Sequence, residues 1–468
     1  MNNVYKYRVM ISFISIKNAF ILLRKLLCNI DNILKLNYYT LIKKIVLLEK
    51  VKNEKKLLMK YNEKFIGQIS KLILYCNLIL YSSIACSSNS SSTWEDTILK
   101  SSGQTIFFHA WGGDKNINSY IRWAADEVKE KYNINVKHVK VSDTSNVVAR
   151  ILSEKNASKH SNGAVDLVWI NGENFSRMKQ SKLLLRENWI FEIPNSNYLD
   201  FKNNPSLLND FGINTEGMEM PWGLSQLTFY YDSKFLKTPP KSSMKLKQYI
   251  LNNKGRFTFP QPPDFVGTSF LKQILIELIS DKDLLKLQYN PKIHEKELEP
   301  LWIWLDEVTP NLWRKGRNYP SNYLALTELV AEREIDIGMA FNISHASNAI
   351  SEGRLPKTVR SYIHEKGSLA NVHFLTIPYN SSKKEAAKIF VNFLISPDAQ
   401  LRKQNNKFWG DPSVLSMDKL DIGWKKKFYE TSKGIATLSN DELKMKFQEP
   451  HPSWVKVLEE GWIRRYGS

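Results

Sequence analysis

The loop His109–Asp114, which reads HAWGGD, follows a short apolar run and precedes an amphipathic stretch. Ligands of open α/β sheets bind in such loops, at the carboxyl ends of strands. Gly112 and Gly113 would let backbone N–H groups approach a ligand, and the dipole of the following helix would favour an anion. The ring of Trp111 is a further candidate contact. Asp114 is either a ligand contact or only the N-cap of the helix.

A second loop, Asn171–Asn174 (NGEN), follows the apolar run AVDLVWI. Its carboxylate and amides suit a cationic or polyhydroxyl ligand, which makes Asn171 and Glu173 candidate contacts. The alternative for Glu173 is that an acidic residue there only favours a helix start. Further on, the aromatic face of Trp222, beside Gly223, would stack on a ring or hold a cation. The alternative for Trp222 is packing between neighbouring segments.

The second half of the chain offers fewer candidates. The segment Phe265–Ser269 is predicted to lead into a helix with hydroxyl and N–H groups available, so Gly267 and Thr268 are candidate contacts. Asn342 follows the strand-like run Ile335–Phe341 and is another candidate. The remaining residues have other interpretations: structural for His345, closure over a cleft for Trp409–Asp411, and packing for Trp302, Trp304 and Trp313.

Catalytic motifs are absent from the sequence: it contains no HExxH, GxSxG, P-loop, CxxC or GxGxxG pattern. We therefore predict no catalytic residue, no metal and no cofactor. One alternative is an extracellular enzyme that acts on glycans through scattered carboxylates such as Asp114 and Glu173. Another is an adhesin or scaffold tethered to a membrane.

The elements that must position these loops are strands alternating with helices. Strands are predicted at Thr105–Phe108, Val136–Val141 and the AVDLVWI run, with a helix after each of the first two. The first helix carries its apolar residues on one face: Ile117, Ile121, Ala124 and Val128. Such alternation predicts an α/β fold, with a parallel sheet covered on both faces.

Charge and length limit the class of protein. The chain has 468 residues, 43% of them hydrophobic, and a net charge of +19. Fifteen of the basic residues precede position 86, which leaves 51 basic and 43 acidic residues, or +8, over 86–468. A nucleic-acid partner is therefore not expected. The length is enough for two domains with substantial cores.

The front of the chain has the pattern of a secretory signal. A basic region after Met59 is followed by the apolar run Leu72–Ala85 and then by Cys86, so 59–85 is predicted to be a signal peptide. Ser83-Ile84-Ala85-Cys86 resembles a bacterial lipobox, although Ser83 stands where leucine is usual. Lipidation of Cys86 is expected, with a polar tether after it. The alternative is a buried apolar segment with an incidental cysteine. Residues 1–58 are either an upstream extension or lie before the true start.

Three segments resemble the type 2 periplasmic, or extracellular solute-binding, proteins of ABC importers. They are AAKIFVNFLISPDAQ, ELVAEREIDIGMAFNIS and PWGLSQLTFYYDSKFLKTPPKS. Longer strings such as AWGGDKNINSYIRWA, VDLVWINGENF and GRFTFPQPPDFVGTSFLKQ resemble one lipoprotein branch of that family. Together these matches span most of 103–415.

This resemblance implies a two-lobe type 2 periplasmic-binding-protein fold with two interlobe crossings, expected near 222–228 and 370–376. The expected regions are a tether at 86–101, lobe 1 at 102–225, lobe 2 at 226–371 and a return to lobe 1 with a C-terminal helical segment at 372–468. A small-molecule ligand would bind between the lobes of a lipid-anchored, extracytoplasmic monomer and pass to a permease driven by an ATPase.

The resemblance does not identify the ligand. The aromatic residues with Glu173 favour an amine or aromatic cation, while the Gly-Gly helix start favours an anion. A molecule carrying both groups would reconcile them. Replacing Trp111 and Trp222 with alanine is expected to weaken ligand binding and to leave folding largely intact.

Overall fold

The structure of this chain is a computed structural model that describes residues 93–431 and 433–467. The predicted extension, signal peptide and lipidation site Cys86 lie outside these ranges. The strands are β1 (Thr105–Trp111), β2 (Asn135–Val141), β3 (Leu167–Ile170), β4 (Asn209–Asp210), β5 (Ile213–Asn214), β6 (Glu219–Gln226), β7 (Thr228–Asp232), β8 (Ile337–Ala340), β9 (Val359–Tyr362), β10 (Ser368–Thr376) and β11 (Lys446–Phe447).

The α-helices follow in chain order: α1 (Trp94–Ser101), α2 (Lys115–Tyr132), α3 (Thr144–Asn156), α4 (Gly172–Gln180), α5 (Ser243–Asn252), α6 (Phe265–Leu278), α7 (Pro291–His294), α8 (Glu299–Val308), α9 (Tyr323–Ala331), α10 (His345–Ser351), α11 (Lys384–Leu394), α12 (Pro397–Gln404), α13 (Ile422–Glu430) and α14 (Ser453–Tyr466). Short 3-10 turns occupy Trp189–Glu192, Pro194–Tyr198, Pro205–Leu208, Lys282–Lys286, Glu295–Leu298, Thr309–Asn311, Trp313–Gly316 and Met417–Lys419. None of the helices in the described ranges is long and apolar enough to cross a membrane.

Lobe 1 is built on a six-stranded sheet in the order β11-β10-β3-β1-β2, with β6 also paired to β10. β1 is parallel to both β2 and β3, as the alternating pattern predicts. The four apolar positions predicted to share one face of α2 are all buried. Phe108 of β1 packs edge-on against Phe390 of α11, with ring centroids 5.7 Å apart. Helices from both the early and the late part of the chain therefore pack on this sheet.

Lobe 2 has a separate core around the three-stranded sheet β8-β7-β9. β7 pairs antiparallel with both β8 and β9. The largely buried helix α6 and the Trp-rich helix α8 cover the sheet. Trp302 and Trp304 are 7% and 2% exposed in this core, as predicted for packing residues.

The chain passes between the two cores along β6, β7 and β10. β6 belongs to the lobe 1 sheet, and β7 starts only one residue later in the lobe 2 sheet, so the first crossing occurs at Leu227. β10 lies antiparallel to β6 and has an irregularity between His373 and Phe374. Two adjacent antiparallel strands of this kind connect the two cores, and connections of this kind serve as hinges in two-domain proteins.

Two regions differ from the expectation. Residues 94–101, expected to belong to a tether, form helix α1, which has a capping box between Thr93 and Asp96. The end of the chain is not confined to lobe 1. Phe428 of α13 packs in the lobe 1 core, but Trp454 and Trp462 of α14 pack in the lobe 2 core. Ala436 also packs in the lobe 2 core, so the C-terminal part of the chain contributes to both lobes.

Candidate functional site

The candidate site lies where β1, β2 and β3 end at one edge of the lobe 1 sheet. Trp111 is the last residue of β1, Asp143 follows β2, and Asn171–Glu173 follows β3. Because these strands are parallel neighbours, their following loops meet at the same edge. The loops at Trp111 and Glu173, each a candidate from the sequence, therefore lie at the same edge of the sheet.

Aspartate side chains cap the helices that begin around the cleft. Asp114 accepts hydrogen bonds from the backbone N–H groups of Asn116 and Ile117, at 2.7 and 3.1 Å, at the start of α2. Asp143 accepts from Ser145 at 2.8 Å at the start of α3. These donors are therefore occupied by carboxylates of the chain itself.

At the start of two further helices, a backbone N–H group also donates to an aspartate. At the start of α6, Asp264 accepts from Val266 and Gly267 at 2.9 and 3.1 Å. At the start of α4, the N–H group of Gly172 donates to Asp210 at 2.6 Å. Capping carboxylates offset the positive ends of these helices, so the arrangement favours an anion less than the glycines after Trp111 suggest.

In lobe 1, Glu173 is a cleft residue whose side chain has no partner among the described residues. It is solvent-exposed and makes no hydrogen bond or salt bridge within the part of the chain that the structure describes. Even so, surrounding protein atoms desolvate the carboxyl and raise its pKa, and Asp143 adds to this while Lys272 and Arg177 oppose it. The Glu173 side chain is thus exposed to water yet has protein atoms around it, as expected of a residue that lines a cleft.

Thr268, Lys272 and Glu459 form the lobe 2 side of the same region, and the first two are almost fully buried there. The hydroxyl of Thr268 donates to Glu459 at 2.7 Å. Lys272 forms a buried ion pair with Glu449 at 2.6 Å, both side chains being 2% exposed. Burial raises the pKa of Glu459 to about 7, and the charges of Glu173 and Asp143 contribute to the increase. Carboxylates from the two lobes therefore influence each other across the cleft.

Phenylalanine rings lie beside these charged groups. The Nζ atom of Lys272 is 4.6 Å from the ring centroid of Phe211 in lobe 1 and 5.6 Å from that of Phe265 in lobe 2. Phe265 is 39% exposed, which is unusual for a large apolar ring, and it also packs against Phe341 at 5.0 Å. An exposed ring next to carboxylates suits a ligand that is apolar in one part and cationic in another.

At the other end of the cleft the two lobes touch. The ring of Trp111 lies 6.0 Å from that of Tyr323, the first residue of α9. Asn116 of α2 donates to Glu352 of lobe 2 at 2.8 Å, and Lys115 lies 3.5 Å from the same carboxylate. Trp111 is half-buried, with its ring against Gly113 and near Tyr323.

Trp222 is not part of this cleft. It is 0% exposed, and its ring lies 5.0 to 6.3 Å from those of Trp169, Trp409, Phe108 and Tyr120 in the lobe 1 core. The interpretation of Trp222 as a ligand contact is corrected in favour of packing. The same correction applies to Trp409, which was expected to close over the cleft.

The remaining predicted residues have local structural roles. Gly112 donates its N–H to Val141 at 3.1 Å, and the ring of Trp111 covers Gly113 so closely that a Cβ atom would clash. A Cβ atom on Gly267 would clash with the carbonyl oxygen of Pro260. Asn342 accepts from the backbone of Ser344 at 2.9 Å.

Asn171 and His345 complete the set of predicted residues. Asn171 is the N-cap of α4, but its side chain makes no capping hydrogen bond. His345 is 2% exposed, and burial lowers its pKa to about 3, which fits the structural interpretation of this residue.

Sequence reasoning missed five cleft residues: Asp210, Phe211, Lys272, Tyr323 and Glu459. Tyr323 follows Asn322, which caps α9, so a helix-start search would have found its position without indicating a contact with Trp111. The other residues carry no local signal, because they come from a short hairpin, from the buried face of a helix and from the end of the chain. No group of three or more metal-ligating side chains was found among the described residues.

Comparison with known proteins gives three findings. A family described as "Bacterial extracellular solute-binding protein" matches residues 123–416. Protein YnjB of Escherichia coli (strain K12) is 39% identical over 378 residues, which cover 81% of this chain and 95% of that protein. This relative belongs to the branch of the family that the sequence strings resemble.

Solved structures show the same fold at low sequence identity. The periplasmic binding protein AfuA from Actinobacillus pleuropneumoniae, with exogenous fructose-6-phosphate bound, matches with a TM-score of 0.55 and 14% identity, over 78% of this chain and 98% of that one. A putative spermidine/putrescine ABC transporter from Listeria monocytogenes matches with a TM-score of 0.53 and 16% identity, over 77% and 99%. The predicted α/β fold of the type 2 periplasmic binding proteins is confirmed.

Proposed function

Because this chain belongs to the bacterial extracellular solute-binding family, we propose that it captures a small solute between its two lobes and delivers it to the permease of an ABC importer. The observation that carries this function is that candidate contacts from both lobes face one cleft beside a two-strand hinge. Glu173 and Trp111 come from lobe 1, while Glu459, Phe265 and Tyr323 come from lobe 2.

The hinge and the cleft together give the mechanism. A solute that contacts both lobes has more favourable contacts in the closed form than in the open form, and so it shifts the equilibrium towards closure. The closed lobes would then present a joint surface to the permease, and a cytosolic ATPase would power transport. Closure does not chemically alter the solute, so no catalytic residue is assigned.

The glycan-hydrolase alternative, in the form that relies on Asp114 and Glu173, loses one of its two carboxylates. That reaction needs two carboxyl groups, one as acid and one as base or nucleophile, on either side of the bond to be cleaved. Asp114, one of the two carboxylates considered, accepts two backbone N–H groups at the start of α2. Its capping role leaves Glu173 without the partner that was considered for it.

The test is to follow both binding and the fate of the solute. We expect the purified chain to retain a small molecule that mass spectrometry finds unaltered after prolonged incubation, and to change its tryptophan fluorescence saturably as the molecule is added back. Replacing Trp111 with alanine should weaken binding about 10- to 100-fold by removing a large cleft ring, with less than about 1.5 kcal/mol lost from the free energy of unfolding.

The matched control is Trp424→Ala, which removes a partly buried tryptophan of α13 that lies outside the cleft. This variant should bind as the parent chain does. Turnover of the molecule into a product, or equal affinity of the Trp111→Ala and parent chains, would contradict the proposal.

The lipid anchor is a separate proposal. Cys86 follows an apolar run that ends in a lipobox-like sequence, and the first described helix begins at Trp94, so a tether would span 87–93. Acyl chains on Cys86 would hold the monomeric clamp at the outer face of a membrane. Cells fed a palmitate analogue should label the parent chain and not Cys86→Ala, while Cys76→Ala serves as the control within the signal peptide. Labelling of Cys86→Ala at the parent level would rule out this anchor.

A further inference from the structure

Two carboxylates from opposite lobes, Glu173 and Glu459, lie on either side of the same contacts. The ring of Phe211 lies against Gly172, next to Glu173, and 4.6 Å from Lys272 Nζ on α6. One turn earlier on α6, Thr268 donates to Glu459 at 2.7 Å. Glu173 of α4 has neither a hydrogen bond nor an ion pair in the described ranges, and Glu459 of α14 accepts only the Thr268 hydroxyl. Glu173 is close enough to raise the pKa of Glu459 through its charge. Such a pair opposes closure of the lobes unless something positive lies between them.

A buried oxygen nearby also lacks a partner. Asp210 is 1% exposed, and one of its carboxylate oxygens accepts the N–H of Gly172 at 2.6 Å. The other oxygen, Oδ1, has no hydrogen bond among the described residues. The N–H group that it accepts belongs to Gly172, the residue before Glu173, so the carboxyl lies beside the start of α4. A buried acceptor of this kind is costly unless a donor reaches it.

The charges around the cleft do not balance internally. Glu173, Glu459 and Asp210 share the electrostatic influence of Lys272, but that ammonium is already paired with Glu449. Arg177 acts on Glu173 from the next turn of α4 without forming a salt bridge to it. The site therefore lacks positive charge, while the neighbouring helix starts are already capped by aspartates.

We propose that the solute carries an ammonium group that binds between Glu173 and Glu459 and so links the two lobes. An ammonium has only donors, which suits the two carboxylates and the unpartnered oxygen of Asp210. Its carbon skeleton would lie against the exposed ring of Phe265. This inference rests on the proposed solute-binding function and identifies the chemical class of the solute.

The first experiment tests the ammonium proposal separately from the solute-binding function on which it rests. A small-molecule extract of the source cells is divided by ion exchange into cationic, neutral and anionic fractions, and each is titrated into the full chain while tryptophan fluorescence is followed. Saturable binding from the cationic fraction alone is expected. Binding only from the neutral or anionic fraction would overturn the ammonium proposal and leave the solute-binding function intact. No binding from any fraction would contradict the function itself.

The second experiment tests the two carboxylates with the active cationic fraction. Glu173→Gln and Glu459→Gln should each weaken binding about 10- to 100-fold, because each removes a charged acceptor from the ammonium. Combining them should cost less than the product of the two, since both contact one group. Glu460→Gln is the control, because Glu460 is the next residue on α14 but is 61% exposed. Unchanged affinity in both cleft variants would overturn the assignment.

The pH dependence gives a readout that a merely structural role would not produce. The folded pKa of Glu459 is about 7, raised by burial and by Glu173 and Asp143, and opposed by Lys272 and the Thr268 hydroxyl. Below that pH the carboxyl is protonated and attracts an ammonium less, so affinity should fall about tenfold from pH 8 to pH 6. Asp210, with a pKa of about 8, adds to the same trend. Glu459→Gln should flatten the profile, and an unchanged profile would contradict the proposal.

Discussion

Replacing Trp222 with alanine is expected to lower the free energy of unfolding by about 3–5 kcal/mol, the usual cost of truncating a fully buried aromatic ring. Trp222 lies on β6, and its ring packs at 5.0 Å against Trp169 and at 5.2 Å against Trp409. Its removal leaves a cavity among rings that belong to three separate parts of lobe 1. These rings are fixed by the sheet, so the cavity cannot collapse easily.

Urea denaturation followed by circular dichroism measures this loss, and Trp222→Phe is the matched variant. Phenylalanine keeps an aromatic ring among the same neighbours, so it should cost clearly less than alanine does. The sequence alone led to the opposite expectation, that Trp222→Ala would affect binding and leave folding largely intact. A stability loss below about 1 kcal/mol together with weaker binding would restore that earlier interpretation.

The burial of Trp222 could not be predicted from the sequence. The residue types around it, in the sequence GMEMPWG, are compatible with a ligand-binding crossing and with core packing alike. Which one is realised depends on which face of β6 the ring occupies. In the structure β6 pairs with β10 from a distant part of the chain, and this pairing turns Trp222 into the lobe 1 core. No local pattern contains that information.

Local patterns did predict the parts of the fold that depend on local physics. The apolar residues of α2 recur with helical spacing, and all four that were predicted to share a face are buried. The strand–helix alternation predicted that β1 pairs in parallel with its neighbours, and this pairing places Trp111 and Glu173 at one edge of the sheet. These features need only the period of the sequence and the rules of parallel sheets.

The lobe 2 half of the site was much harder to predict. Glu459 lies 286 positions after Glu173 in the chain and reaches the cleft only because the chain passes back to lobe 2 after α13. Lys272 occupies the buried side of α6, where a lysine would normally be unexpected, and it is held there by Glu449. A buried charge of this kind is visible as a functional candidate only once its partner and its surroundings are known.

A second large effect is expected from Asp411→Asn, which should lower the free energy of unfolding by about 3–5 kcal/mol. Asp411 pairs with Lys403, and both side chains are almost completely buried, at 2% and 0% exposed. Burial by itself would raise the pKa of Asp411, but Lys403 and His373 hold it below its usual value. The neutral amide would leave the Lys403 ammonium without a counter-charge in the core, which is costlier than having no charge there.

The position of this pair links its loss to movement of the lobes. Asp411 lies against Gly223 of β6 so closely that a Cβ atom on that glycine would clash with it. The adjoining residues are also held by lobe 2: Ser344 donates to the carbonyl oxygen of Gly410, and Asn348 donates to that of Trp409, each at 2.8 Å. The ion pair therefore fixes a segment that contacts the first crossing strand and the second lobe at once.

Urea denaturation and small-angle X-ray scattering of Asp411→Asn should accordingly show a less stable chain whose lobes are less well fixed, with a larger radius of gyration in the absence of solute. Replacing both partners, as Lys403→Met with Asp411→Leu, should recover much of the lost stability because no unpaired charge remains. Glu460→Gln breaks an exposed pair with Lys456 and should cost less than about 1 kcal/mol. If Asp411→Asn were as mild as this control, the pair would not be what fixes the hinge. The double replacement separates the charge of the pair from its packing. If stability recovers but the radius of gyration stays large, the charge pair itself, and not only the packing of its side chains, holds the crossing strand.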